Sequence, residues 1–305
     1  MRTEARPILV GIGDTDETRA ALGFAAAEAT RRGLGVELVH VLPRPSPLLT
    51  DSALIGFKGA ALVAEDLVAA ASERLAHLST GTVPVTRIVR PGVVSRVLRD
   101  LGASAEMIVL QHRSLTALER VVSGSVVVDV AGHATVPVVS VPERWRPGRA
   151  VAAVTVALDG HAGQEALLEQ AFATAASHGA VLGIMHAWFL GTAYDELVMS
   201  RTPLEQWWRV ARDHILEQTE EVRSRYPGIS VRIDVRHQPA ADAIVAAARH
   251  SDLVLVGRRH RKHGEHLGPV ARSVVSASSV PVMVVPSTLA SPADERDLSS
   301  STVPA

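Results

Sequence analysis

The 305-residue sequence contains no cysteine, which excludes disulfides, thiolate metal sites, iron–sulfur clusters and thiol catalysis. Lysine is scarce, with only Lys58 and Lys262 among 31 basic residues. No glycine-rich segment ends in Gly-Lys-Ser/Thr, so an ordinary P-loop is excluded. Aromatic residues make up 3% and the net charge is -1, a composition that does not favour nucleic-acid binding. Because no run of about 18 apolar residues and no signal peptide is present, we expect a soluble cytoplasmic protein without membrane spans.

The second half of the chain repeats the first. Three pairs of matching residues, 144 or 146 positions apart, illustrate the repeat: Gly33 with Gly179, His40 with His186, and Gly124 with Gly268. This spacing predicts two homologous domains, which we place at residues 1–146 and 147–287. The polar, aperiodic segment 288–305 is predicted to be a disordered tail.

Strands and helices alternate in each half. In the first half the predicted strands are apolar runs near residues 7–13, 36–42, 83–89, 106–111 and 136–141. They lack strict alternation, which is typical of parallel strands buried on both faces. We therefore predict an α/β fold with two tandem doubly wound, Rossmann-like domains, each with a five-stranded, mostly parallel sheet. The linker around residues 143–149 is short, so the two domains should pack together.

The clearest helix signal lies in the second half. Thr202-Pro203-Leu204-Glu205 combines an N-cap, a proline in the first turn and a capping-box glutamate, and Pro227-Gly228 ends the helix. Apolar side chains at helical spacing predict one buried face, formed by Trp208, Ala211, Ile215 and Val222. We interpret the Trp207-Trp208 pair as packing residues, one of which must face outward.

Ligands of such sheets bind beyond the carboxyl ends of the strands where the strand order reverses, here after strands one and four of each half. Several segments occur twice in the same order: Val-Gly-Ile and Val-Ala-Leu in strand one, His40-Val41 and His186-Ala187 in strand two, and Val-Pro-Val before the last strand. This pattern resembles the universal stress protein family in its tandem form, over residues 7–142 and 151–286.

The resemblance implies domains like those of the adenine nucleotide alpha hydrolases and, in members that bind ATP, an aspartate after strand one. It also implies a Gly, two residues, Gly, nine residues, Gly-Ser/Thr pattern after strand four, whose bare amides and helix N-terminus attract phosphates. The last strands would join the halves as an internal pseudo-dimer, and two chains would form a homodimer. Magnesium is implied only as a companion of the nucleotide.

Carried over position by position, the family pattern gives two candidate nucleotide sets. The second-half set is Asp159, Gly160, Ala187, Gly257, Arg258, His260 and Gly268. The first-half set is Gly11, Gly13, Val41, Gly124, Ser125 and Val126. Both depart from the pattern. Gln111 and Ser114 replace two glycines in the first half, and Gly13 replaces its aspartate. In the second half His260 replaces a glycine and Pro269 replaces the serine, which removes a hydroxyl and an N–H. We favour the second half because it keeps Asp159 and Gly257.

Other polar residues carry weaker signals. The basic run of Arg258, Arg259, Arg261 and Lys262 would either face phosphates or form a solvated loop, and we favour the loop. The histidines at 260, 263 and 266 are interpreted as surface residues, and no metal site is predicted. His40 and His186 are expected to be structural, and Ser123 and Ser125 to cap a helix. No catalytic constellation is apparent, so ATP hydrolysis should be slow at most.

Three functions follow from this reading. The first is an adenine-nucleotide-binding regulatory stress protein that acts through conformation or a protein partner. The second is an interaction protein of the same fold whose nucleotide sites have decayed. The third, which the missing pyrophosphate loop disfavours, is an adenylate-forming enzyme on the same scaffold.

Overall fold

The computed structural model describes residues 5–13, 18–44, 51–79, 82–112, 126–146, 152–161, 163–189, 204–261 and 264–287. The strands are β1 Ile8–Ile12, β2 Val36–Leu42, β3 Val85–Pro91, β4 Met107–His112, β5 Val138–Pro142, β6 Ala153–Leu158, β7 Val181–Trp188, β8 Val231–His237, β9 Leu253–Gly257, β10 Arg259–Arg261, β11 Gly264–His266 and β12 Val282–Val285. The helices are α1 Arg19–Arg32, α2 Asp51–Leu78, α3 Val94–Gly102, α4 Val126–His133, α5 Glu165–His178, α6 Leu204–Arg225, α7 Ala240–Ala248 and α8 Pro269–Ala277. The tail predicted at 288–305 lies outside the described residues.

Ten of the strands form one sheet in the order β3-β2-β1-β4-β5-β12-β9-β6-β7-β8. All neighbours are parallel except β5 and β12, which pair antiparallel at the centre, with Val139 opposite Met283. Each half therefore contributes five parallel strands in the same order, and the predicted doubly wound fold is confirmed. The antiparallel central pair also confirms the internal pseudo-dimer. In this pair the last strand of the first half lies beside the last strand of the second half, so neither of these two strands is left as an open sheet edge.

The parallel strands are buried on both faces by two helical layers. Helices α1, α2, α5 and α6 cover one face, and α3, α4, α7 and α8 cover the other. Each layer has its own apolar core, and both cores contain residues from the two halves. The continuous apolar runs of the sequence are thus explained by burial on two faces.

The capped helix of the second half begins within one residue of its predicted first turn, and it corrects one detail. Ile215 and Val222 are buried as predicted, but Trp208 is 47% exposed. Trp207 takes the inward position, where its ring stacks on Trp188 with centroids 5.0 Å apart. The inward-facing side of α6 therefore starts at Trp207, one residue before the Trp208 that the 3.6-residue period suggested. The predicted N-cap, Thr202, lies outside the described residues.

A buried ionic cluster joins the two halves beside the sheet. Glu28 of α1 is only 2% exposed, and its carboxylate contacts Arg31 and Arg32 of the same helix. His178, the last residue of α5 in the other half, places Nε2 3.0 Å from Glu28 Oε1. Burial alone would raise the pKa of Glu28, but the hydrogen bond and charge of His178, together with the two arginine charges, lower that pKa to about 2.

Candidate functional site

Each half has a cavity at the carboxyl ends of its parallel strands, where the fold class predicts a ligand. The second-half cavity has a volume of about 190 Å³. Among its lining residues are five of the seven predicted for nucleotide binding: Asp159, Ala187, Gly257, Arg258 and Gly268. The first-half cavity has a volume of about 500 Å³. Four residues of the predicted first-half set line it: Gly11, Gly13, Val41 and Val126.

The turn after β6 presents the aspartate of the second-half cavity. Asp159 Oδ1 accepts a hydrogen bond from the backbone N–H of His161 at 3.0 Å, the geometry of an Asx turn. Gln164 Oε1 accepts from the N–H of Asp159 at 3.2 Å. Gly160 has φ +78, and a Cβ there would lie 3.0 Å from Cε1 of His186. Both the positive φ and the close ring of His186 therefore favour glycine at this position.

Two side chains of helix α6 contact the backbone of this turn. The carbonyl oxygen of Gly160 accepts a hydrogen bond from Gln218 Nε2 at 3.2 Å, and His214 Nε2 lies 3.1 Å from the same oxygen. The two side chains are one helical turn apart and contact each other at 3.1 Å. Neither side chain was predicted to reach the site, because only the tertiary fold brings α6 against a turn more than 50 residues earlier. Their i, i+4 spacing was the only local signal.

The two strand-end histidines have equivalent structural roles. His40 Nδ1 donates to the carbonyl of Ile12, and His186 Nδ1 donates to the carbonyl of Leu158, both at 3.1 Å. Because a carbonyl only accepts, Nδ1 carries the proton in each ring. Each histidine thus ties the end of its half's second strand to the end of the first. The prediction of structural histidines is confirmed.

The far wall of the second-half cavity is formed by the end of β9 and the start of α8. A Cβ on Gly257 would lie 3.2 Å from Leu167 Cδ2, so this strand end passes close to α5. Gly268 precedes α8 in an extended conformation, and Pro269 occupies the first turn. Proline is well tolerated there, because its missing N–H would have no partner within the helix. It nevertheless removes one donor from the cavity.

The segment between β9 and α8 is not a simple solvated loop. It forms the hairpin of β10 and β11, in which His260 is paired with Glu265. Arg258 Nη1 donates to the carbonyl of Ala134, just beyond α4 in the other half, at 2.6 Å, and its Nε is buried. The solvated-loop prediction is therefore wrong for Arg258. Arg258 follows β9, which lies next to β12 near the centre of the sheet. Its guanidinium can therefore reach Ala134 in the first half.

The first-half cavity differs at the position equivalent to Gly257. There Gln111 Oε1 accepts hydrogen bonds from the backbone N–H groups of Ala20 and Ala21, at 2.8 and 3.2 Å. The side chain that breaks the glycine pattern therefore caps the first turn of α1. This role was not predicted, since the two partners are some 90 residues apart. The predicted Gly124 and Ser125 lie outside the described residues.

Among the described residues, no cluster of three or more His, Asp or Glu side chains is arranged to hold a metal ion. Within the same residues, no helix has the length and apolar character needed to cross a membrane.

The fold and its paired cavities define a tandem protein of the doubly wound α/β class. The family model for the universal stress protein family matches residues 4–142 and 152–286. The chain belongs to that family, as the sequence resemblance indicated.

Relatives of similar length share the tandem form. Universal stress protein Rv1996 of Mycobacterium tuberculosis is 28% identical over 302 residues, covering 91% of this chain and 94% of its own. Universal stress protein MT2061 of the same species is 30% identical over 293 residues, covering 91% and 96%. The crystal structure of a universal stress protein from Archaeoglobus fulgidus has a TM-score of 0.68 at 18% identity, covering 92% of this chain and 96% of that one. This last likeness concerns the fold alone.

Proposed function

We propose that this universal stress protein is a regulatory protein that binds an adenine nucleotide, such as ATP, in its second half. The observation that carries the proposal is the convergence of Asp159, Gly257 and Gly268 on one cavity. Asp159 lies about 100 positions before the two glycines in the sequence. Asp159 and Gly257 stand where nucleotide-binding members of the family keep the same residue types, and Gly268 matches the later glycine of their pattern with a spacing two residues shorter. The cytoplasm is the compartment we expect.

The chemistry of the cavity suits a nucleoside with its phosphates outward. The Asp159 carboxylate supplies hydrogen-bond acceptors for ribose hydroxyls or the adenine amino group. Gly257 and Gly268 leave backbone amides accessible, and the N-terminus of α8 favours the negative phosphates. A volume of about 190 Å³ is below the range of about 300–1,000 Å³ common for ligand pockets. The cavity would therefore enclose the base and ribose, with the phosphates and any accompanying Mg²⁺ nearer the surface.

Signalling suits this arrangement better than catalysis. Among the described residues that line the cavity, Asp159 is the one carboxylate, and it already accepts a hydrogen bond from its own turn. General acid–base catalysis needs a group positioned for proton transfer, and the lining offers no second one. Binding at the start of α8 would be transmitted to the first half through Arg258, which follows the end of β9 and contacts Ala134. A protein partner would recognise the nucleotide-bound state.

The test is titration calorimetry with ATP, together with acid release of any nucleotide from the freshly purified protein. The wild type should bind about one ATP per chain, and Asp159→Ala should weaken binding at least tenfold, or by about 1.4 kcal/mol. Asp66→Ala, which removes an exposed carboxylate on α2, is the matched control and should bind like the wild type. No released nucleotide and no heat at millimolar ATP would refute the proposal.

One observation favours a second candidate, an interaction protein without nucleotide. The second-half cavity is small, and Pro269 has replaced a phosphate donor at its wall. In that case the molecule would act through its surfaces alone. It would then bind its partner equally well with and without ATP.

A further inference from the structure

The first-half cavity has a lining unlike that of a nucleotide site. It is the larger of the two, and its volume of about 500 Å³ lies within the range of about 300–1,000 Å³ that holds small-molecule ligands. None of the described residues that line it is Asp, Glu, Lys or Arg. Its walls are mainly aliphatic and come from five strands or helices: Ile12, Val39, Val41, Leu98, Leu110 and Val127.

Two polar side chains of the described lining, Gln111 and His40, form hydrogen bonds with the protein itself. Gln111 Oε1 already accepts two N–H groups from the first turn of α1. Those N–H groups would otherwise be available to an anion at the helix N-terminus. His40 uses Nδ1 to hold the carbonyl of Ile12. An anionic ligand would thus lose its water and gain no countercharge from the described lining.

Two side chains of the described lining can donate to a ligand, Gln111 through its amide and Thr18 through its hydroxyl. With Oε1 of Gln111 accepting two hydrogen bonds, its Nε2 amino group carries the N–H donors of that side chain, and no hydrogen bond from Nε2 to another described residue is present. The equivalent position in the second half is Gly257, which offers no side chain at all. The two cavities therefore differ in the polar groups that they offer to a ligand as well as in volume.

We propose that the first-half cavity is a binding site for an uncharged small molecule with an apolar body and a single hydrogen-bond acceptor directed at Gln111. The site is distinct from the nucleotide cavity, and the proposal competes with the first-half nucleotide set predicted from the family pattern. The aliphatic walls supply the hydrophobic gain, and the amide of Gln111 sets the orientation.

Two probes of nearly the same shape test the charge preference. 2-Naphthamide is neutral, and 2-naphthoate carries a negative charge at pH 7. Titration followed by naphthalene fluorescence should show saturable binding of the amide, with the carboxylate at least tenfold weaker. Equal or tighter binding of the carboxylate, or no binding of the amide at millimolar concentration, would overturn the proposal.

Variants locate the probe. Val41→Trp fills the cavity and should weaken amide binding at least tenfold, while ATP binding measured by calorimetry stays at the wild-type value. Gln111→Leu removes the donor and should weaken the amide several-fold if the protein stays folded by circular dichroism. Val210→Trp places the same bulk on an exposed position of α6 and is the control. Unchanged amide binding in Val41→Trp would refute the location.

Val41→Trp also separates this proposal from the proposed nucleotide function. Loss of ATP binding in this variant would show that the first-half cavity takes the nucleotide, which overturns the inference. A wild type that binds the amide but no ATP would refute the nucleotide function alone.

Discussion

Replacing Glu28 by glutamine should strongly destabilise the protein. The carboxylate lies between the two halves, almost without solvent contact, and holds Arg32 and His178 at 3.0 Å. Glutamine keeps the shape but removes the charge. The His178 side chain, which is 1% exposed, would then lose its carboxylate partner, while Arg32 would keep its ion pair with the more exposed Glu106. Removing one partner of a buried ion pair in this way is strongly destabilising.

The pKa of Glu28 gives the magnitude. That pKa is lowered from 4.5 to about 2 in the folded protein, so the folded state binds the proton less readily than the unfolded chain. The resulting stabilisation is complete above pH 4.5 and is lost as the pH falls toward 2. At about 1.4 kcal/mol per pKa unit, it amounts to roughly 3 kcal/mol. Glu28→Gln should therefore lower the free energy of unfolding by about 3 kcal/mol at pH 7.

Urea unfolding followed by circular dichroism at several pH values between 7 and 3 measures this difference. The difference in the free energy of unfolding between wild type and Glu28→Gln should narrow steadily as the pH falls below 4.5. Glu65→Gln, an exposed change on α2, should stay within about 0.5 kcal/mol of wild type throughout. A gap under 1 kcal/mol at pH 7, or one that does not narrow by pH 3, would refute the reasoning.

Three further predictions concern the site and its supports. Gly160→Ala should lower the melting temperature and weaken ATP binding in calorimetry, because the turn needs a positive φ that costs an alanine about 1 kcal/mol or more. Arg258→Met should destabilise the protein by about 1.5–3 kcal/mol in urea, the usual worth of a charged hydrogen bond, and should speed amide exchange near Ala134. Trp207→Ala should cost about 3 kcal/mol and Trp208→Ala under 1 kcal/mol, and equal losses would contradict the observed burial.

Most of the fold was predictable because its signals are local and repeated. The strand cores at 36–42 and 106–111 are apolar runs, and their recurrence in the second half fixed the domain plan. Gly33 and Gly179 both adopt positive φ as helix caps, as their position after the helices suggested. Such features depend on a few neighbouring residues, which a single sequence displays.

The candidate site was predictable only where a residue acts through its backbone or its place after a strand. Asp159 and Gly257 could be placed in this way. The contacts of Gln111, His214 and Arg258 could not, because each joins elements that are distant in the sequence. A glutamine that replaces a glycine looks like decay in the sequence, whereas the structure shows it capping α1.

The ionic cluster between the halves also bears on how such a chain diverges after duplication. At the repeat spacing of 146, Glu28 corresponds to Thr174 and His178 to Arg32, so the contact across the pseudo-twofold axis has different partners on its two sides. Two identical subunits would have to place every interfacial residue twice, once on each side of the axis. When the two subunits are joined in one chain, the two sides of the axis can carry different residues. A substitution in one half then changes only one of the two equivalent contacts.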